Sequence, residues 1–558
     1  MNTTRLQRAL LSLLGMGILP ALAQTVAEPA LAPYPMRAPP AAAATAPPDT
    51  PGNTAPIRID RFQIKGNTLL SPLLIEHLLT PFQGNAKSYS DIQQALETLE
   101  GAYRNAGYSA VHVVTPEQEI SDGSITFQVI ETVVGKVTLK GNLHYDPKNI
   151  RNALPALAEG STPSARELSR NLRLANENPT RQLDVVLALG QEDNTVDARV
   201  NIQDSSPHKL YLTLDNTGSS STGMTRAGIG YQHNNLFNRD HALTLNYITS
   251  PGHIKEVTQL SASYRLPLYA LGDSIDLLAA HSDTDAGTTS VGGQGGALLT
   301  FSGKGNVYGI HYNHYLPRSG DYSSRIIAGL DYRAYFNNCI LNNSTCQNVP
   351  DLTVHPLNLS YGGTLSQPSR VIDYTAALIR NLPGGARGGN ATFNQARPGS
   401  QAGYTILHLN GSLTGALPQD WQYRAAGNLQ YTRDALVSYE SFGLVGANAV
   451  RGYLEREVSN DQGIVLNLEL YSPELPPQLK PKDGSLRLLG FIDRGRGWKI
   501  PLSGEAMVRD SVGSVGLGLR YSSGKTLSAK FDWARVTGTG GGSKNGDNRG
   551  QLSVMASW

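Results

Sequence analysis

Side chains able to make or break bonds are scarce in this 558-residue chain, and their spacing suits no catalysis. His311 and His314 stand in an alternating segment, where a three-residue step puts side chains on opposite faces of a strand. They read as interface or lumen residues rather than metal ligands. Gly292-Gly293-Gln294-Gly295-Gly296 lacks the Lys-Ser/Thr of a phosphate-binding loop and opens no helix. No serine elbow or zinc-binding helix occurs. The only cysteines, Cys339 and Cys346, suit a disulfide pinning a small loop in an oxidising compartment. A metal site would need further Cys or His beside them, and none is near. No enzyme, cofactor or metal is expected. What remains is the chemistry of charge, spread over 47 lysines and arginines and 45 acidic residues.

The elements that carry those residues are strands. From residue 209 onward, sixteen segments alternate in hydrophobicity, beginning with 209–218 and ending with 551–558. In 323–337, Ile326, Ala328, Leu330, Tyr332, Ala334 and Phe336 share one face against Arg325, Gly329, Asp331 and Arg333. Trp421, Tyr423, Ala425, Leu429 and Tyr431 do the same against Gln422, Arg424, Asn428 and Gln430. Apolar out and polar in, with mostly short turns after even strands and the long loops after odd ones, is the pattern of an outer-membrane β-barrel. Loop asymmetry and an export leader count against a soluble β-sandwich. Strand thirteen, 485–498, places Leu486, Leu488 and Ile492 toward lipid, and hence Phe491 and Asp493 toward the lumen, the phase a carboxylate requires. Gly516 and Gly518 share the lumenal phase of strand fourteen, where small side chains permit close approach to the wall. After the N-terminus there is no apolar run of eighteen residues. A net charge of +2 gives no field that argues for nucleic acid.

Residues 1–23 read as a signal peptide, with Arg5 and Arg8, an apolar stretch and Ala21-Leu22-Ala23. Residues 24–56 form a Pro/Ala-rich linker. Between linker and barrel the motif Lys65-Gly66-Asn67 recurs as Lys140-Gly141-Asn142. Each copy follows a strand, 59–64 or 134–139, and precedes a cap-proline pair, Ser71-Pro72 or Asp146-Pro147. Capping-box spacings open a second helix at Ser88/Asp91 and Ser164/Glu167. Two α+β modules of order β-α-α-β-β follow, 57–132 and 133–206, with the sixteen-stranded antiparallel barrel over 207–558.

Two such modules before a barrel resemble the POTRA domains of the Omp85 superfamily. Val450-Arg451-Gly452-Tyr453, in the longest outer loop, and Gly490-Phe491-Ile492-Asp493, in strand thirteen, are similar to the signature of the TpsB transporters. This is the haemolysin-activator and filamentous-haemagglutinin-exporter group of two-partner secretion. The resemblance implies that the sixth outer loop folds into the pore, where Arg451 meets Asp493 with Gly490 and Phe491 as wall partners. It further implies capture of an unfolded TpsA-like exoprotein, of the adhesin or haemolysin class, by the POTRA modules. Export would then follow without nucleotide, driven by folding outside. Outer-membrane lipid, the barrel assembly machinery and periplasmic chaperones are the other expected partners, and nucleic acid is not. Trp558 replaces the phenylalanine usual in the barrel assembly signal, but Leu552, Val554, Ala556 and Trp558 keep the alternating register. An Omp85-type assembly factor and a passive porin are the alternatives. Two modules instead of a longer array argue against the first, and the presence of any module against the second.

Overall fold

The computed structural model describes residues 56–558 apart from 121, 221, 284–287, 292–298, 337–339, 342–343, 346–349, 480–483 and 502–505. The leader, the linker up to residue 55, Gly292–Gly296, Cys339 and Cys346 lie outside the described residues. The rest divides into two compact units. One takes in the chain up to Asn176 and Arg181–Ser205, the other Glu177–Thr180 and Ser206–Trp558.

The first unit holds both modules. In the first, β2 (Arg61–Lys65) pairs in parallel with β5 (Ser124–Glu131), which pairs antiparallel with β4 (Val111–Val114). Helices α1 (Pro72–Leu79) and α2 (Tyr89–Ala106) lie between β2 and β4 in sequence. The second repeats the plan with β6 (Val133–Lys140), α3 (Pro147–Ala153), α4 (Ala165–Asn176), β7 (Arg181–Leu189) and β8 (Thr195–Asp204), in sheet order β6-β8-β7. One expectation is corrected. The strand anticipated over 59–64 breaks at Asp60, because the Asp60 and Arg61 N–H groups both turn to the Gly123 carbonyl. The freed piece, β1 (Ile57–Ile59), pairs instead with β3 (Gly84–Lys87).

The repeated Lys-Gly-Asn has a definite physical meaning. Gly66 and Gly141 hold φ of +83° and +93°, and a Cβ on either would lie 2.4 Å from the carbonyl oxygen of Val129 or Ile202. Only glycine fits there. The loop that follows presents backbone N–H groups to the carboxylate ending the last strand of its module. Thr68 and Leu69 donate to Glu131 at 2.7 and 3.2 Å, and Leu143, His144 and Tyr145 donate to Asp204 at 2.8–3.0 Å. Helix α2 opens on a complete capping box, with Ser88 and Asp91 each bonding the other's backbone N–H. Ile92, Ala95, Leu99 and Tyr103 from α2 pack with Ile125, Phe127 and Val129 of β5 in an apolar core.

The second unit is a closed antiparallel barrel. Its sixteen strands run from His208–Asp215 to Asn548–Ser557, the eighth being Leu352–Val354 continued by Pro356–Gln367 across a break at His355. Connections after even strands reach at most 12 residues, whereas those after odd strands run from 8 to 29. Polarity is inverted relative to the modules. On the twelfth strand, Gln462–Tyr471, Leu466, Leu468 and Leu470 are exposed to the outside while Asn467 and Glu469 are buried within. The last strand closes on the first through the pairs Ser553–Asp215 to Ser557–Tyr211. Trp558 and Leu210 then exchange backbone bonds at 2.9 and 3.0 Å.

Candidate pore-occluding site in the barrel lumen

The sixth outer loop joins the eleventh strand, Gln422–Thr432, to the twelfth, and is the longest of the connections at 29 residues, 433–461. It does not leave the barrel. A short antiparallel pair, Phe442–Gly443 with Ser459–Asn460, stiffens its stem, and a turn at Gly446–Ala449 reverses the chain. Glu455 caps that turn by accepting from the Ala447 N–H at 2.6 Å. The stem is clasped by Asp461, which accepts from Leu436 N–H at 3.1 Å, Ile500 N–H at 2.6 Å and Arg397 Nη2 at 2.9 Å. Val450 and Tyr453 then pack with Leu444, Val445 and Val458 of the loop and Val465, Val512 and Val536 of the wall.

Arg451 follows at the wall. Its Nε and Nη2 form a two-point pair with the Asp493 carboxylate, each 2.8 Å long, and its backbone N–H adds a third bond at 3.1 Å. Two further carboxylates converge on Nη1, Glu469 at 2.9 Å and Asp532 at 3.5 Å. The guanidinium lies 3.6 Å from the centroid of the Phe491 ring, a cation–π contact strengthened by exclusion of water. Asn467 Nδ2 bridges the Ala449 carbonyl and Asp493, both at 2.8 Å. Arg424 approaches Glu469 at 3.4 Å, and Arg520 grips Asp532 at 2.7 and 2.9 Å. Three arginines thus face three carboxylates, contributed by the loop and by strands eleven to fifteen. A buried fork of this kind is tolerable only because nearly every lone pair and proton has a partner.

The neighbouring residues explain the fit. Gly452 sits at φ +96°, and a Cβ there would press on Ala534 and Val536 of the fifteenth strand, Leu527–Val536, at 3.2–3.3 Å. The Tyr453 hydroxyl accepts from the Gly513 N–H at 3.2 Å and donates toward the Gly538 carbonyl. On strand thirteen, Gly484–Trp498, Phe491 and Asp493 point inward and are buried, while Leu488 and Ile492 are exposed outward. Gly490 is placed otherwise than expected. It shares the outward phase of Leu488 and Ile492, so it touches neither Arg451 nor the loop. Gly516 makes room for both the neighbouring strand and the Phe491 ring, since a Cβ there would meet the Trp533 carbonyl oxygen at 2.2 Å and that ring at 2.3 Å. His311 is buried and bonds Asp331 at 2.7 Å, and His314 meets Asp273 at 3.0 Å.

This arrangement cross-braces the lumen. Residues 195–521 match the model of the family described as "Haemolysin secretion/activation protein ShlB/FhaC/HecB", and 57–132 match "POTRA domain, ShlB-type". The chain belongs to this family. It is therefore an outer-membrane two-partner secretion transporter of the Omp85 superfamily, whose POTRA domains are periplasmic. Among similar proteins, Heme/hemopexin transporter protein HuxB of Haemophilus influenzae (strain 86-028NP) is 22% identical, over 80% of this chain and 78% of its own. Hemolysin transporter protein ShlB of Serratia marcescens is 26% identical, over 82% and 78%. The solved structure of CdiB from Escherichia coli matches with a TM-score of 0.66 at 17% identity, covering 92% of this chain and 93% of that one. That last likeness concerns the fold.

The sequence reading places Arg424 on an inward face but assigns it no partner, and it does not single out Asn467, Glu469, Asp532 or Arg520, yet a signal for them exists. Asn467 and Glu469 interrupt Leu466, Leu468 and Leu470, and Asp532 stands between Phe531 and Trp533. Polar or charged residues on the wet phase of a strand, flanked by lipid-facing ones, mark the lumen wall.

Proposed function

We propose that this chain captures an unfolded exoprotein of the adhesin or haemolysin class in the periplasm, through its two modules, and passes it extended through the barrel. Sixteen strands leave room for an aqueous path, and the sixth loop is the gate across it. The observation that carries this reading is Arg451, delivered by the loop into a buried set of three wall carboxylates. The modules offer exposed strand edges, β4 and β7 among them, for pairing with an extended peptide. The chain acts as a conduit without catalysis, cofactor or metal. Directionality comes from folding of the exported protein outside. Residues 1–23 serve as leader, 24–56 as linker, Cys339 and Cys346 as a loop disulfide, and Trp558 as the assembly signal read by the barrel machinery. The module boundaries are 57–132 and 133–206.

Two deletions test the reading. Removing 440–460 raises ion conductance in planar bilayers, and equal conductance in both proteins excludes a gating loop. Removing 57–132 stops secretion of the exoprotein partner but leaves a conducting barrel. Normal export without that module refutes capture by it.

A further inference from the structure

The loop has a second attachment, far around the wall from the first. Before the chain reaches Arg451 it passes Glu440, whose carboxylate lies 3.3 Å from Arg333 Nη1 and accepts from the Tyr335 hydroxyl at 2.5 Å. Both partners stand on the seventh strand, Tyr322–Tyr335. The Tyr439 ring stacks on Tyr335 with centroids 4.4 Å apart and planes 5° from parallel. The Glu440 carbonyl accepts from Gln430 Nε2 at 3.1 Å. In the ring of sixteen, strand seven stands six places from strand thirteen, which carries Asp493, and eight from strand fifteen, which carries Asp532, so the two attachments lie on well-separated arcs of the wall. One loop therefore spans the lumen, fastened by an anion on one side and by a cation on the other.

We propose that Glu440, Arg333 and Tyr335 form a second latch of the gate, released separately from the Arg451 cluster, and that the lumen stays bridged until both have opened. The inference rests on the gating role proposed for the loop. The two latches differ in what release leaves behind. Withdrawal of Arg451 leaves Glu469 with Arg424 and Asp532 with Arg520, but strips Asp493 of its only cation within salt-bridge range among the described residues. Withdrawal of Glu440 leaves Arg333 still paired with Asp331 at 3.0 Å, and Asp331 still bonded to His311. Arg333 then keeps a carboxylate partner, and Asp331 keeps both of its own. Leaving a buried charge unpaired is the expensive outcome, so the Glu440 latch is the one that opens first. Glu440, Arg333 and Tyr335 are positioning residues, and they act on transport by setting where the loop lies.

The test uses the purified full chain in planar bilayers, with heat-modifiability on gels as the check that each barrel is folded. Unit conductance is compared for the wild type, Glu440→Ala, Arg451→Ala, the double variant and the deletion of 440–460. The expected result is that each single variant conducts less than the deletion and that the double variant rises to its level. A chemical tether supplies the second arm. In the double variant, with Cys339→Ser and Cys346→Ser, Tyr335→Cys and Tyr439→Cys are joined by a short bifunctional thiol reagent. Joining is expected to lower conductance again, and cutting a cleavable reagent to restore the rise. The inference is overturned if Arg451→Ala alone already equals the deletion, if the double variant does not exceed Arg451→Ala, or if the tether changes nothing. If the deletion itself conducts like the wild type, the gating role fails with it, an outcome distinct from the other three.

Discussion

The modules and the barrel bury opposite things. Inside the first module lie Ile92, Leu99, Tyr103, Ile125 and Phe127. Inside the barrel lie Arg451, Asp493, Glu469, Asp532 and Arg520, while leucines cover the outside. Both regions use the same period-two strand, so the pattern alone does not dictate what the interior is made of. The surrounding solvent does. In water the apolar face turns inward and supplies the cohesion. In lipid the apolar face turns outward, and inward residues are released to form a charged interior that can be rearranged. An apolar core holds its parts together almost regardless of direction. A charged interior holds only where each partner is present, and can let go when one moves. The first suits a permanent module and the second a gate.

That contrast can be broken most severely at the gate. Arg451→Ala or Asp493→Ala is expected to abolish secretion while the barrel stays folded and heat-modifiable, because the stranded partner costs about 3–5 kcal/mol locally. Exporting single variants would remove the cluster from the mechanism. The exchange of Arg451→Asp with Asp493→Arg recovers part of the function, measured as secreted partner. In the modules the comparable blow falls on the backbone. The fragment 57–205 is expected to fold alone, and Gly141→Ala to lower its stability in urea by about 1–3 kcal/mol, since alanine must hold a left-handed φ against a carbonyl oxygen. An unchanged midpoint would contradict the close approach.

Smaller effects sharpen the same comparison. Ser88→Ala removes the acceptor that caps α2 and is expected to cost about 1 kcal/mol in that fragment, with no change in barrel conductance. The mildest effect is one of pH. Bonds from the Ser88 side chain and backbone hold the Asp91 carboxyl below its ordinary range. A depressed folded-state pKa gives stability that is complete above the unfolded value and is lost as pH falls through the folded one. The urea midpoint of the fragment therefore drops on acidification through that range, and less so in Asp91→Asn.

Much of this architecture was legible because it is written locally. Ser71-Pro72, Asp146-Pro147 and the Ser88/Asp91 box mark helix starts through contacts within four residues, and strand phase follows from alternate side chains. The break at Asp60 escaped because its cause, the Gly123 carbonyl, is sixty-three residues away. Arg451 and Asp493 were paired through a family motif, not through spacing, and Gly490 was placed in the contact with them although its phase beside Leu488 and Ile492 already pointed outward. Glu469, Asp532 and Glu440 escaped for another reason. A lumenal carboxylate names its face, but which of sixteen inward faces meets a given loop is fixed by closure of the ring, which no local window contains.

Closure of that ring has a consequence for biogenesis. The seam joins residues more than three hundred positions apart, as in the Leu552 N–H bond to Asn216 at a separation of 336. The sixth loop lies within the hoop that this seam completes. A segment already clasped to strands seven and thirteen is easiest to enclose while the sheet is still an open trough, before its two borders meet. If the loop is the gate proposed above, a barrel finished in that order is closed from the moment its seam forms.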